Sequence, residues 1–207
     1  MTTFLLLRHG ATAHTAERRF SGCTGDNPPL SEQGERQAAA LATRLARLPR
    51  VDAVLTSELA RARRTAELVA AACGLAVQVE ADLREIDFGD FEGRTGAEVE
   101  RHRPAELAAW RASPGTAPPG GESVQEVAGR VAAVRDRWAR RHPCGTVLLV
   151  SHLYPVRVSA LDALGAPYGS VHRMTIEPTS VTEISTAPAT LLRLNDAAHL
   201  DIPAARP

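Results

Sequence analysis

An α/β fold is predicted: a three-layer α/β/α sandwich around a mostly parallel central sheet. Three observations predict it. Apolar runs of strand length alternate with longer segments of helical periodicity along nearly the whole chain. The strand-length runs, such as Phe4–Leu7 and Val147–Val150, are continuously apolar, as suits strands covered on both faces. Hydrophobic residues make up 44% of the 207 positions and aromatic residues only 4%, so a sizeable core must be built mainly from Leu, Val and Ala.

The elements follow in order. Phe4–Leu7 is the first strand. Ser31 is placed to cap a helix running to about Leu48, with Ala38, Leu41, Ala42 and Leu45 on one face. Ala53–Thr56 is a second strand, and Leu59–Cys73 a helix that Gly74 stops. Val77–Val79 is a third strand, followed by a loop over Asp82–Gly93. Weak helices occupy about Thr95–Arg111, and Ser113 to Gly121 is a Pro/Gly-rich loop. Ser123 opens a long helix with Val124, Val127, Val131, Val134 and Trp138 on one stripe. Thr146–Val150 is a strand, Val156–Leu164 a helix, and two or three strands lie between about Arg173 and Leu194. Residues 1–207 read as one domain without internal repeats, and the tail is expected to fray after about residue 196.

Composition narrows the function. There are 24 basic and 24 acidic residues, so the formal net charge is zero, which argues against a nucleic-acid partner or an anionic membrane surface. The basic residues are all Arg, a bias of composition, so each must be judged by its setting. No stretch approaches the roughly 20 apolar residues of a membrane span. Arg8 interrupts the N-terminal apolar run and argues against an export signal. Cys23, Cys73 and Cys144 form no CxxC pair and no zinc-like cluster. Free thiols in a reducing cytoplasm, with no metal and no cofactor, are expected.

Chemistry gathers where strands end. In open α/β sheets the ligand crevice lies at the carboxyl ends of the strands. The first strand delivers Arg8-His9-Gly10: a rigid fork of donors suited to phosphate, a ring nitrogen able to attack or carry a proton, and a residue permitting close backbone approach. The second is followed by Ser57 to Ala66, which holds Arg61, Arg63 and Arg64; the third by Leu83 to Gly89, which holds Glu85. Val147–Val150 is followed by Ser151-His152. Each has an ordinary alternative. Arg8 and the helix arginines could be solvated cations, His9 and His152 satisfied strand-end histidines, and Glu85 a partner in a loop salt bridge.

Taken together, these segments resemble the histidine phosphatase superfamily, also called phosphoglycerate mutase-like. The resemblance rests on Arg8-His9-Gly10-Ala11-Thr12, Ser57-x-Leu59-x-Arg61-Ala62-x-x-Thr65-Ala66, Leu83-x-Glu85-x-x-x-Gly89-x-x-Glu92-Gly93, Gly120-Gly121-Glu122-Ser123 and Val150-Ser151-His152, over about residues 3–195. It implies that His9 attacks phosphorus and forms a phosphohistidine, and that Arg8, Arg61 and His152 surround the phosphoryl oxygens. It implies that Glu85 protonates the leaving oxygen and later takes a proton from water, which requires a raised pKa or an acidic optimum. Phosphate contacts are further implied at Thr15, which stands where the family usually has Asn, at Ser21 and Gly22, and at the backbone N–H of Leu153. Cys23 to Leu30 is about one residue longer than the family's usual version, which bears on the geometry of Ser21 to Cys23, and Cys23 is expected to be a bystander.

The family contains phosphatases and mutases. The short Ala/Pro-rich stretch from Thr95 to Gly121 lacks the insertion of the glycolytic mutases, which favours a phosphatase. Val147 to Pro155 and then His172-Arg173 resemble the acid phosphatase and α-ribazole phosphatase branch. The expected partner is a small-molecule phosphate ester: a sugar phosphate, a nucleotide or a biosynthetic intermediate. Mutase-type phosphotransfer, and a catalytically silent phospho-ligand module, are the alternatives. A homodimer is expected from the family's habit alone, since no decisive interface is written in the sequence.

Overall fold

The computed structural model describes residues 1–48 and 50–200. Their sheet has six strands: β1 (Thr3–Arg8), β2 (Ala53–Thr56), β3 (Val77–Val79), β4 (Thr146–Ser151), β5 (Val181–Thr186) and β6 (Ala189–Asp196), in the order β3-β2-β4-β1-β5-β6. The first four are parallel; β5 runs antiparallel to β1, and β6 antiparallel to β5. The expected mostly parallel sheet is present, with an antiparallel pair along one edge.

Alternation along the strands separates the layers. Leu5 and Leu7 of β1 pack with α2 (Glu32–Leu45) and α3 (Ala60–Cys73), through Leu41, Leu45 and Val69. Phe4 and Leu6 face the other way, toward Val134 and Trp138 of α6 (Val124–Arg141) and Val156 of α7 (Leu153–Leu164). Each such buried side chain contributes about 1.5–3 kcal/mol. A third cluster caps the carboxyl end of the sheet. There Ile86, Phe88 and Phe91 meet Val99 of α4 (Gly96–His102), Leu107 and Trp110 of α5 (Pro104–Ala112), and Val127 and Val131 of α6.

Local signals account for most element ends. Ser31 caps α2 by accepting the Gly34 N–H, and Ser123 with Glu126 closes a capping box on α6. Gly74 and Gly165 end α3 and α7 in the left-handed conformation. The helix ending near residue 164 begins at Leu153, three residues earlier than predicted. Pro155 sits in its first turn, where its missing N–H leaves no bond unmade. A five-residue helix, α1 (Ala13–Glu17), is too short to show periodicity. Ala198–Leu200 form a 3₁₀ turn tied by His199 Nε2, 3.1 Å from Thr179 Oγ1, so the tail is placed through Leu200 and the remainder of the expected fray lies outside the described residues.

Two features aim the sheet at a site. Register pairs Arg8 with Ser151, so β1 and β4 end level and the next residues, His9 and His152, emerge side by side. At Gly10 and Gly34 the first loop and α2 touch backbone to backbone. A Cβ at Gly34 would lie 2.0 Å from the Ala11 carbonyl oxygen, and one at Gly10 would lie 2.5 Å from that of Gly34. Among the described residues no helix is long and apolar enough to cross a membrane.

Candidate active site

The two histidines define the centre. Their ring centroids are 5.0 Å apart with planes at 60°. His9 is 5% exposed and its Nδ1 lies 2.7 Å from the Gly10 carbonyl oxygen, which makes Nδ1 the protonated nitrogen and leaves the lone pair on Nε2. Burial, then the Arg61 and Arg8 charges, hold its pKa well below the ordinary histidine range, so the ring is neutral. His152 is 0% exposed and is held neutral for the same first reason, with Arg61 adding to it. Ser57 Oγ lies 2.7 Å from His152 Nε2 and accepts the Leu59 N–H at 3.4 Å. In the tautomer where Nε2 accepts the Ser57 hydroxyl proton, the ring hydrogen sits on Nδ1, the ring nitrogen without a protein partner.

Two arginines flank the pair. Arg61, 0% exposed, reaches from the first turn of α3 and donates through Nη2 to the carbonyls of Ser21 and Gly22, each at 2.9 Å. Its Nε–H points at His9 Nε2, 3.3 Å away. Arg8 donates through Nη1 to the Ile176 carbonyl at 2.6 Å. Of the buried polar atoms without a protein partner, which include His14 Nδ1, Trp110 Nε1 and Arg157 Nε of the cavity lining, four belong to the residues around the two histidines: Arg8 Nε, Arg61 Nη1, His152 Nδ1 and Ser21 Oγ. Leaving one buried polar group unpaired costs about 1–3 kcal/mol. Four together around a neutral imidazole, two of them on guanidiniums, form a cradle suited to a compact anion with several acceptor oxygens.

Glu85 closes the site from the third strand's loop. It is 4% exposed; Oε1 accepts the N–H groups of Ile86 and Tyr154, both at 3.0 Å, and Oε2 accepts that of Leu153 at 2.9 Å. Burial raises its pKa above the ordinary carboxylate value, against the pull of those bonds and of Arg61 and Arg8.

The predicted residues divide in their placement. Arg8, His9, Thr15, Ser21, Glu85 and Leu153 line one cavity of about 500 Å³, whereas Arg61 and His152 lie beneath its floor, against His9. Three of the expected phosphate contacts are otherwise engaged. The Thr15 hydroxyl closes a capping box on α1, 3.2 Å from both the N and the Oγ1 of Thr12. The Gly22 N–H donates to Glu92 Oε2 at 2.8 Å, and the Leu153 N–H is the one bound to Glu85. Both are donors, as expected, but carboxylates take them, the half-buried Glu92 and the buried Glu85. Cys23 is not on the cavity wall.

Several groups that shape the site were given no role by the sequence, although Glu92 and Glu122 stand in its motifs. Arg130, in α6, forks onto the carbonyls of Asp82 (2.6 Å), Arg84 (2.8 Å) and Glu85 (3.2 Å) and is itself held by Glu122 at 2.7 Å. It fixes the backbone that presents Glu85. Glu92 ties the Gly22 and Phe88 N–H groups together, linking two loops across the site. Arg157 bonds the Met174 carbonyl at 2.5 Å, with its guanidinium 5.6 Å from the centre of the Tyr154 ring.

Comparison with known proteins places the arrangement. The histidine phosphatase superfamily (branch 1) matches over residues 4–197. The bifunctional protein Rv2228c of Mycobacterium tuberculosis is 41% identical over 181 residues, 87% of this chain and 49% of its own length; the chain thus spans about half of that relative. The probable phosphoglycerate mutase GpmB of Cronobacter sakazakii is 34% identical over 214 residues, 99% of this chain and 97% of that protein. Among solved structures, the α-ribazole phosphatase of Shigella flexneri superposes with a TM-score of 0.82 at 29% identity, over 94% of this chain and 96% of that one.

Proposed function

The chain belongs to the histidine phosphatase superfamily, and we propose that within it this protein hydrolyses a small-molecule phosphate monoester through a phosphohistidine on His9. The observation that carries the reading is the state of His9. It is a buried neutral imidazole whose Nδ1–H is fixed by the Gly10 carbonyl, so its Nε2 lone pair faces a cradle of unpartnered cationic donors.

In the proposed reaction Arg61 Nε releases His9 Nε2 as its guanidinium turns to the phosphoryl oxygens. Nε2 attacks phosphorus, the N–P bond forms, and the ester P–O bond breaks. Arg8, Arg61 Nη1 and the His152 Nδ1–H meet the charge on the equatorial oxygens, and Ser21 Oγ adds a neutral donor. Glu85 gives its proton to the departing oxygen, then accepts one from the water that cleaves the phosphohistidine and frees inorganic phosphate. The likeness to a solved α-ribazole phosphatase favours water over a second substrate as the acceptor.

The experiment follows phosphate release and label transfer. Wild-type protein is expected to hydrolyse p-nitrophenyl phosphate and to carry an acid-labile, base-stable phosphoryl label on His9 after rapid quench, with His9→Ala losing both. Substantial turnover by His9→Ala would overturn the covalent route. Conversion of 3-phosphoglycerate in the presence of its bisphosphate, faster than phosphate release, would replace the hydrolase reading with the mutase one.

A further inference from the structure

In a chain that is only 4% aromatic, with four Phe, two Trp and two Tyr, half of those side chains line the same cavity: Phe20, Phe88, Trp110 and Tyr154. They arrive from four separate stretches of sequence. Trp110 is their hub, with ring centroids 5.9 Å from Phe20, 6.0 Å from Phe88, 6.1 Å from Tyr154 and 5.1 Å from His172. Trp110, Phe88 and Tyr154 are buried and form the backing, while Phe20 and His172 remain open on the cavity. Partial desolvation, then the charges of Arg157 and Arg111, hold His172 toward its neutral form. The cavity, about 500 Å³, falls within the ~300–1,000 Å³ range of sites that enclose ligands well beyond a phosphate in size. Arg111 and Arg157 share this wall with the rings, Arg157 with its guanidinium 5.6 Å from the centre of the Tyr154 ring, so an apolar surface and charged donors stand side by side there.

Accepting the phosphomonoesterase reading on which this rests, we infer that the leaving alcohol carries a flat ring with an apolar face, received against the Phe20–His172 side of the Trp110 cluster. The shared chemistry is that of an aryl group, a nucleobase or the apolar face of a sugar ring, each of which gains from an aromatic surface.

The test compares esters with similar alkoxide leaving groups, 2-phenylethyl phosphate and n-propyl phosphate, so that ring recognition is separated from leaving-group chemistry. A nucleoside 5′-phosphate and a hexose 6-phosphate form two further arms, and a preference for either over n-propyl phosphate identifies the ring's source. Wild type is expected to favour the phenylethyl ester about tenfold in kcat/KM. Phe20→Leu, which keeps bulk without a ring, and His172→Ala, at an exposed position, are each expected to lower that ratio about fivefold. Equal kcat/KM for the two simple esters in wild type, or variants that slow both in the same proportion, would overturn the inference. Failure to turn over any ester, p-nitrophenyl phosphate included, would instead overturn the phosphatase reading beneath it.

Discussion

Replacing Glu85 by Gln removes the proton that the proposed mechanism delivers to the leaving oxygen while sparing most of the structure. The carboxyl accepts three backbone N–H bonds at 2.9–3.0 Å, and an amide oxygen placed at Oε1 keeps the two from Ile86 and Tyr154. The amide nitrogen then faces the Leu153 N–H, a donor against a donor, for a loss of roughly 1–3 kcal/mol in stability. Glu85→Ala would strand all three N–H groups and confound chemistry with misfolding. General acid catalysis is worth about 10²–10⁴ in rate, or roughly 2.7–5.5 kcal/mol at 1.36 kcal/mol per tenfold. That loss should depend on the substrate. An alkyl alcohol needs the proton, whereas p-nitrophenolate leaves without it. The assay is kcat/KM for Glu85→Gln on 2-phenylethyl phosphate and on p-nitrophenyl phosphate, beside a thermal melt. The expected result is a loss of at least a hundredfold on the alkyl ester and of about tenfold or less on the aryl ester. Equal losses on both would refute proton delivery and reduce Glu85 to a group that positions the Leu153–Tyr154 backbone.

Ser57→Ala frees His152 Nε2 and lets the ring take either tautomer; it should lower kcat about tenfold with less change in KM, and Ser57→Thr, which restores the hydroxyl, should recover much of the loss if the tautomer is what Ser57 supplies. Stability should fall on acidification from about pH 6.5. His9 and His152 are both held below the ordinary histidine pKa, so the unfolded chain binds two protons there that the native state refuses. Glu85, raised in the native state, works in the opposite sense: its contribution is present at low pH and lost as pH rises through its native pKa. His172 and His199 are lowered as well, and Glu92 is raised; the histidines outnumber the raised carboxyls, so the expected result is a net loss of stability between pH 6 and 5, measurable by urea unfolding. A stability that is flat over that interval would contradict the neutral buried histidines.

The fold was legible because its strands are continuous apolar runs and its long helices carry both a periodic face and a cap. Ser31 and Ser123 marked starts, and Gly74 marked a stop, within a residue of where the structure puts them. α1 escaped because five residues cannot show a period, and its one signal, Thr12 three residues before Thr15, reads equally as part of a phosphate loop. The centre of the site was legible for a geometric reason: parallel strands that end level place the residues following them together, and His9 and His152 follow β1 and β4 in register. What the sequence could not show is which N–H groups are already taken. Gly22 and Leu153 look like free donors because each sits in a loop or at a helix start. Their actual acceptors, Glu92 and Glu85, lie about 70 residues away along the chain. Arg130 was hidden for the same reason: on α6 it is one arginine among several, and only the fold carries it to three carbonyls of the Glu85 loop.

The environment of Glu85 carries one further consequence. Burial favours its neutral form, while three N–H bonds and the charges of Arg61 and Arg8 favour its ionised one, so its proton affinity is set by a balance that the substrate itself alters. A phosphate dianion settling on Arg8 and Arg61 offsets the two cations that stabilise the carboxylate and brings its own negative charge beside it. Both effects raise the Glu85 pKa, so binding loads the acid that the proposed first step consumes. The pH profile can separate the two states, since kcat/KM reports the free enzyme and kcat the complex. The alkaline limb assigned to Glu85 should therefore lie at higher pH in kcat than in kcat/KM, by a unit or so, and the limb should vanish from both profiles in Glu85→Gln. Coincident limbs in the two profiles would mean that the bound phosphate does not reach the charges holding Glu85.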